Sequence, residues 1–371
     1  MTDREAYVAF NLTDNIGSVG VDTLVERFGS VAAAWEGYPK KISRQGGEVD
    51  WSQEFAKARR YGVEILTPAD AEYPGMLKRT RGHPLVLYVK GDVKALSKPS
   101  VAIVGTRRAT AYGLDQANRF AHDLAQSGWC IVSGLALGVD AEASRGALAA
   151  GGITVGVLGS ALDRFYPEEN RELAREIVKK GGAVVSEFPF GRDPDQQTFP
   201  QRNHVVAALS SGVVAVEAPL KSGTLITAGI ALDMGRIVMA VPGRVDAPRS
   251  AGCLNLIRDG ATLVRCAADV SEALGQLIQV APRPKMKDSH AARRIPVPIP
   301  AAPVKSAPAQ SLSLEESMIM RELDAEGISL DKLVELTGLP PQKIRSLTMT
   351  LRLKEKVRFL PGNRVALPRG T

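Results

Sequence analysis

The chain has 371 residues, 44% of them hydrophobic, with a formal charge of +7, an aromatic content of 5% and three cysteines. That length favours two or three domains. No run approaches the ~18 apolar residues of a membrane span, and the opening MTDREAYVAF is no basic-then-apolar leader. Cys130, Cys253 and Cys266 lie far apart, form no zinc-type pair, and read as reduced thiols of a cytoplasmic protein. The positive balance favours a polyanionic partner, while the low aromatic content argues against an extended base-stacking platform.

Residues 1–65 read as a helical domain. From Glu5 to Gly37 the pattern is helix, glycine turn, helix. Short helices joined by Ile16-Gly17-Ser18-Val19-Gly20 are of the helix-hairpin-helix or sterile-alpha-motif (SAM) kind, which contact DNA backbone or protein. A plain helical packing unit is the alternative. Residues 66–98, with TPADAEYPGML and HPLVLYVKGD, read as an irregular, proline-punctuated bridge.

Residues 99–280 carry a regular alternation. Apolar strands are expected at Val101–Val104, Cys130–Ser133, Thr154–Leu158, Ala183–Phe188, Val213–Glu217 and Ile237–Val241, with helices such as Tyr112–Gln126 and Arg171–Lys180 between them. Short, continuously apolar strands alternating with helices predict an α/β, Rossmann-like, doubly wound parallel sheet. Residues 281–311, rich in Pro, Ala and basic side chains, form a linker too polar to fold alone. Residues 312–371 read as three helices and a hairpin, a winged helix. Asp331–Glu335 begins its second helix, and Pro340-Pro341 opens a third that carries Gln342, Lys343, Arg345, Ser346, Thr348 and Arg352.

In open parallel sheets, ligands bind outside the carboxyl ends of the strands. The first strand delivers Gly105-Thr106-Arg107-Arg108 there, the second Ser133-Gly134 and Asp140, and the third Gly159-Ser160. The fourth delivers Glu187 and then FPQRNH, and the fifth Glu217 followed by Lys221-Ser222-Gly223-Thr224. Small-residue turns beside Arg and Lys make an extended anion site. A dinucleotide fits poorly, because Gly105-Thr106-Arg107-Arg108 is not G-x-G-x-x-G and the second strand ends in Ser133-Gly134 rather than a ribose-binding acid. No P-loop and no G-x-S-x-G elbow occurs. No cofactor, metal or catalytic group is therefore expected, and Asp140, Glu187 and Glu217 are expected to orient neighbouring guanidinium groups.

The runs VAIVGTRRATAYG, IVSGLALGVDAEASRGAL, TVGVLGSALDRFYPEENREL, VVSEFPFG, FPQRNHVVAALS, VVAVEAPLKSGTLITAGIALDMGRIVMAVPG and CLNLIRDGA occur in one fixed order. With its flanking modules the chain resembles the DNA-processing protein A (DprA/Smf) family over nearly its whole length. The resemblance implies a non-enzymatic single-stranded DNA-binding protein that protects incoming DNA in natural transformation. It further implies assistance in loading the RecA recombinase and a homodimer through the Rossmann-like domain.

Carried over by motif, the phosphate-binding turn is Gly105, Thr106 and Arg107. The Phe-Arg-Asn motif falls on Phe199, Arg202 and Asn203, and the Ser-Gly-Thr turn is Ser222, Gly223 and Thr224 with Lys221 before it. Arg107 is then expected to hold a phosphate bidentately, with the Gly105 and Thr106 amides and the following helix N-terminus completing the cradle. Phe199 offers a face to a base, or anchors its own loop. Ser144 and His204 depart from the family pattern, which has His and Arg there.

Two other classes stand against this one. The segment EAPLKSGTLITA lines up with the P-G-G-x-G-T-x-E-E turn of nucleotide phosphoribohydrolases, but Ile226 and Thr227 replace the glutamates that such chemistry needs. A winged-helix regulator would bind duplex DNA without residues 99–280.

Overall fold

The computed structural model describes residues 1–14, 16–39 and 47–275, and towards the C-terminus 314–323, 327–340, 343–344, 347–348, 351, 356–360 and 364–367. The chain divides into two compact units, Met1–Lys287 and Asp288–Thr371.

The first unit opens on α1 (Asp3–Leu12), α2 (Ser18–Phe28), α3 (Val31–Gly37) and α4 (Trp51–Tyr61). Thr2 and Glu5 close a capping box on α1, at 3.3 and 2.7 Å. α2 starts at Gly17 and stops at Gly29, whose φ of 88° suits a residue without a Cβ. Phe10 centres this body, with the Trp35 ring edge-on at 5.0 Å and Tyr38 at 5.5 Å.

The stretch read as an irregular bridge is a correction. With Glu64 and Ile65 from the segment read as helical, it supplies β1 (Glu64–Leu66), the short α5 (Gly75–Lys78) and β2 (Leu87–Gly91), the two strands pairing antiparallel at the edge of the main sheet. Pro68, Pro74 and Pro84 all fall in the connections, where no ladder donor is lost. β2 alternates as a two-sided strand should. Leu87 and Val89 face the sheet core, while Val86 and Tyr88 pack on the helical body beside Phe190.

The remaining elements are β3 (Ser100–Val104), α6 (Ala111–Gln126), β4 (Cys130–Ser133), α7 (Val139–Ala149), β5 (Thr154–Val157), α8 (Arg171–Lys179) and β6 (Ala183–Ser186). They continue through α9 (Thr198–Ala208), β7 (Gly212–Ala215), α10 (Gly223–Asp233), β8 (Ile237–Ala240), α11 (Ala251–Arg258), β9 (Thr262–Leu263) and α12 (Ala267–Gly275). The nine strands lie in the order β1-β2-β6-β5-β4-β3-β7-β8-β9, parallel from β6 to β9. This is the doubly wound class, with the expected strands in place. Val101 and Ile103 of β3 face the α6–α7–α12 layer, and Ala102 and Val104 face the α9–α10 layer. Order reverses between β3 and β7, so their carboxyl ends form the topological switch point.

In the second unit, α13 (Leu314–Glu322) and α14 (Leu330–Thr337) accompany a small sheet of β10 (Ile328–Ser329), β11 (Arg358–Leu360) and β12 (Arg364–Ala366), ordered β10-β12-β11. Ile319, Leu333, Ile344, Leu351 and Val365 form its core. This is a winged helix. Of the third helix's expected residues, Lys343 and Thr348 are described, while Gln342, Arg345, Ser346 and Arg352 lie outside the described residues, as does the Pro-Gly-Asn of the hairpin. Among the described residues no helix is long and apolar enough to cross a membrane.

Candidate nucleic-acid interface

At the switch point the chain fills its own crevice. The Thr106 amide donates to the Glu217 carbonyl at 2.8 Å. The Glu217 carboxylate accepts from the Thr110 amide at 2.9 Å and its hydroxyl at 2.6 Å, while Thr110 caps α6 through the Gly113 amide at 3.1 Å. An acid thus sits where a helix start would otherwise draw a ligand's negative charge. Glu217 was expected to orient a guanidinium. It holds Thr110, the N-cap of α6, instead, and the Thr106 amide, already donating to the Glu217 carbonyl, is not open to a phosphate. The Gly105 amide is likewise engaged, by Asp140 at 3.4 Å.

Asp140 lies in the first turn of α7, only 5% exposed. α7 begins at Gly138, where a Cβ would come within 2.5 Å of the Thr106 carbonyl, so only glycine lets the helix approach the turn. Burial pushes the Asp140 carboxyl above its ordinary value, opposed by the charge of Arg202 and by the amides of Gly105, Ala136 and Gly134. The departure at Ser144 falls just behind: its buried hydroxyl meets Ser133 Oγ at 3.1 Å and donates to the Asp140 carbonyl at 3.3 Å.

Arg202, expected as a phosphate ligand, is 5% exposed. Its Nη1 donates to the carbonyls of Gly134 and, at 2.8 Å, Val157, and its Nε to Asn203 Oδ1 at 3.1 Å. Burial lowers the guanidinium to about 10, so it stays charged at neutral pH. It straps the ends of β4 and β5 together from α9, which makes it a positioning residue for the groups above it.

Those groups are open. Arg107 is exposed, with its guanidinium carbon 4.6 Å from the Phe199 ring centroid. Phe199 packs on Gly159, where a Cβ would lie 2.9 Å from the ring, and stands 6.2 Å from the Tyr166 ring. Leu137 and Tyr166, 37% and 46% exposed, complete the walls of a notch floored by Gly134, Gly159 and Arg202. The sequence reading missed both. Their one signal was their place in the loops after β4 and β5, at the carboxyl edge.

Asn203 Nδ2 reaches the Gly223 carbonyl at 3.5 Å and ties this notch to the start of α10. There Lys221 is exposed, Thr224 is buried, and no side chain caps the helix. The Ser222 hydroxyl is buried without a hydrogen-bond partner, and the helix start of α10, unlike that of α6, holds no acid. Arg107, Phe199, Arg202, Asn203 and the Lys221–Thr224 turn therefore form one rim, with Asp140 beneath it.

Glu187 does not join them. It lines a cleft of about 1230 Å³ between the helical body and the sheet, together with Asp14, Glu48, Asp50, Glu54 and Asp193. His204 lines the same cleft and meets the Arg81 carbonyl at 3.1 Å, and burial lowers its pKa, so it adds no charge to the rim at neutral pH. Ile226 is 48% exposed and Thr227 donates to the Gly223 carbonyl at 3.1 Å, which leaves no acid–base pair beside the Ser-Gly-Thr turn. Among the described residues no cluster could hold a metal ion.

The fold and rim together define a Rossmann-like protein that presents open cations and an aromatic face, with a winged helix at its C-terminal end. Residues 64–275 match the family described as DNA recombination-mediator protein A, and residues 302–363 match the DprA winged helix domain. The chain belongs to this DNA-processing family, which is not an enzyme family. Protein Smf of Escherichia coli (strain K12) is 34% identical, spanning 82% of this chain and 78% of its own. DNA processing protein DprA of Bacillus subtilis (strain 168) is 40% identical over 59% of this chain and 74% of its own. Among solved structures, DprA from Streptococcus pneumoniae superposes with a TM-score of 0.62 at 32% identity, covering 73% of this chain and 98% of that one. DNA processing protein A from Helicobacter pylori, whose structure concerns its single-stranded DNA binding mode, gives 0.52 at 32% identity, covering 58% and 96%.

Proposed function

We propose that this protein binds single-stranded DNA along the rim from Arg107 to Lys221 and serves DNA processing in natural transformation and recombination. The observation that carries the reading is the exposed Arg107 guanidinium, held over the Phe199 ring. A phosphate is gripped by the Arg107 fork, a geometry that favours two parallel charge-assisted hydrogen bonds. The neighbouring base stacks on Phe199, and Tyr166 walls the notch. The next phosphates meet Lys221 and the uncapped amides at the start of α10. Arg202, Asn203 and Asp140 hold these groups in place from below. Contacts to phosphate and to a base face carry no sequence code, so binding is sequence-independent and salt-sensitive, with a slope near −0.7 per neutralised phosphate.

The finer roles belong to the same reading: a cytoplasmic protein that shields an incoming strand, dimerises through the Rossmann-like domain and assists RecA loading. The test is a gel shift of oligo-dT with the wild type and Arg107→Ala at two salt concentrations. Arg107→Ala should weaken binding by about tenfold or more, the worth of a charged hydrogen bond of ~1.5–3 kcal/mol. Equal binding by both proteins would refute the assignment.

A further inference from the structure

The segment from the end of α5 into the following loop carries Lys78, Arg79 and Arg81, three cations within four residues, with no role so far. It runs along the flank of α9. The Arg81 carbonyl meets His204 in the middle of that helix at 3.1 Å. At the far end, Arg236 crosses from the turn after α10 and donates Nη2 to the Ala208 carbonyl at 3.4 Å. Arg236 is half-buried, and its Nε–H is buried with no hydrogen-bond partner. Burial lowers its pKa, and the positive charge of nearby Arg79 lowers it further. Among the described residues no carboxylate lies within ion-pair distance of Arg79, Arg81 or Arg236. Asp233, on the last turn of α10, is the acid nearest to Arg236 in sequence and forms no such pair.

A half-buried guanidinium with an orphaned buried donor and a second cation in its neighbourhood make an unfavourable arrangement that an anion would relieve. Lys78 is otherwise engaged, donating to the Pro68 carbonyl at 2.6 Å. Arg79 and Arg81 are exposed.

We propose that Arg79 and Arg236, with Arg81 ahead of them, form a second phosphate contact for the single strand as it leaves the rim and runs along α9. This rests on the single-strand reading of the rim. The order along α9 is continuous. Asn203 touches the rim, His204 touches Arg81, and Ala208 touches Arg236. From Lys221 at the head of α10 to Arg236 beyond its end the helix runs about 16 Å, the rise of about five stacked nucleotides at ~3.4 Å each. A strand held at Lys221 therefore meets this second pair only if it is long enough to pass the end of α10.

Length dependence is the signature. Fluorescence anisotropy would compare labelled oligo-dT of about 6 and about 20 nucleotides across a salt series, using the full chain and its Arg79→Gln, Arg236→Gln and doubly substituted variants. Arg79 is exposed and ends a helix of only four residues, so its variant keeps the fold; circular dichroism checks Arg236→Gln. The expected result is unchanged binding of the short oligonucleotide and about fivefold weaker binding of the long one. The long-oligonucleotide salt slope should also become shallower by about 0.7 for each phosphate released. Unchanged long-oligonucleotide affinity and slope in the double variant would overturn the proposal. So would an equal loss at both lengths. A wild type that binds neither length would instead locate the failure in the rim itself.

Discussion

The rim at Arg107 and the cleft under the helical body lie on one compact unit and carry opposite charge. The rim is fed by the ends of β3, β4, β5 and β7, and its exposed charges are Arg107 and Lys221, with its acids buried beneath them. The cleft is fed by the end of β6 and is lined by six carboxylates against Lys57 and Arg192. At an effective dielectric of about 20, a phosphate ~8 Å from one such carboxylate is repelled by about 2 kcal/mol. A formal charge of +7 therefore says little about where a polyanion can lie; the individual βα loops decide it. The Ile16–Gly20 turn, read as a DNA-backbone or protein contact, lines the acidic cleft, which favours a packing or protein-contact role.

The contrast is sharpest in charge reversal. Arg107→Glu should weaken single-strand binding by about a hundredfold, as a charged contact of ~1.5–3 kcal/mol becomes a repulsion. Asp193→Lys, an opposite reversal on the exposed lip of the cleft, should change it by less than about twofold. Equal responses, measured by anisotropy, would erase the distinction between the two regions. Next in size is Phe199→Ala, where loss of a stacked base at ~1–3 kcal/mol predicts about tenfold weaker binding with the thermal midpoint nearly unchanged. Glu217→Ala probes what lies under the rim rather than on it. Removing the acid that holds Thr110 costs about 1–2 kcal/mol, so calorimetry should show a midpoint about 4 °C lower, with binding retained.

The smallest effect is on the cleft side. Burial lowers the pKa of both His83 and His204. Below the ordinary histidine value of about 6.5, the unfolded chain takes up protons that the folded one refuses. Stability is therefore fully present above that value and is lost as pH falls through the window beneath it. Thermal midpoints at about pH 7.5 and about pH 5.5 should differ more for the wild type than for His204→Gln, by about a degree or two.

The parallel core was legible because β3 to β8 are buried on both faces and need continuous apolar residues, a pattern that a sequence displays directly. β1 and β2 were not, since short edge strands among prolines carry little periodicity. Within the site, Arg107, Phe199, Asn203 and the Lys221–Thr224 turn emerge together on one rim, as their motifs suggested. The fates of Arg202 and Glu217 could not be read in advance. Which arginine of Arg107 and Arg202 is exposed depends on how α9 is rotated against β4 and β5, and that is set by packing over many distant residues. Glu187 followed the same logic in reverse: it closes a strand as Glu217 does, yet β6 borders the helical body, so its side chain meets the cleft.

The carboxylate of Glu217, lodged at the head of α6, has a consequence for selectivity. Related sheets leave that berth open, and a dinucleotide's diphosphate moors there. In this protein the berth carries an internal carboxylate bonded to Thr110, so a diphosphate would meet a like charge at the crossover.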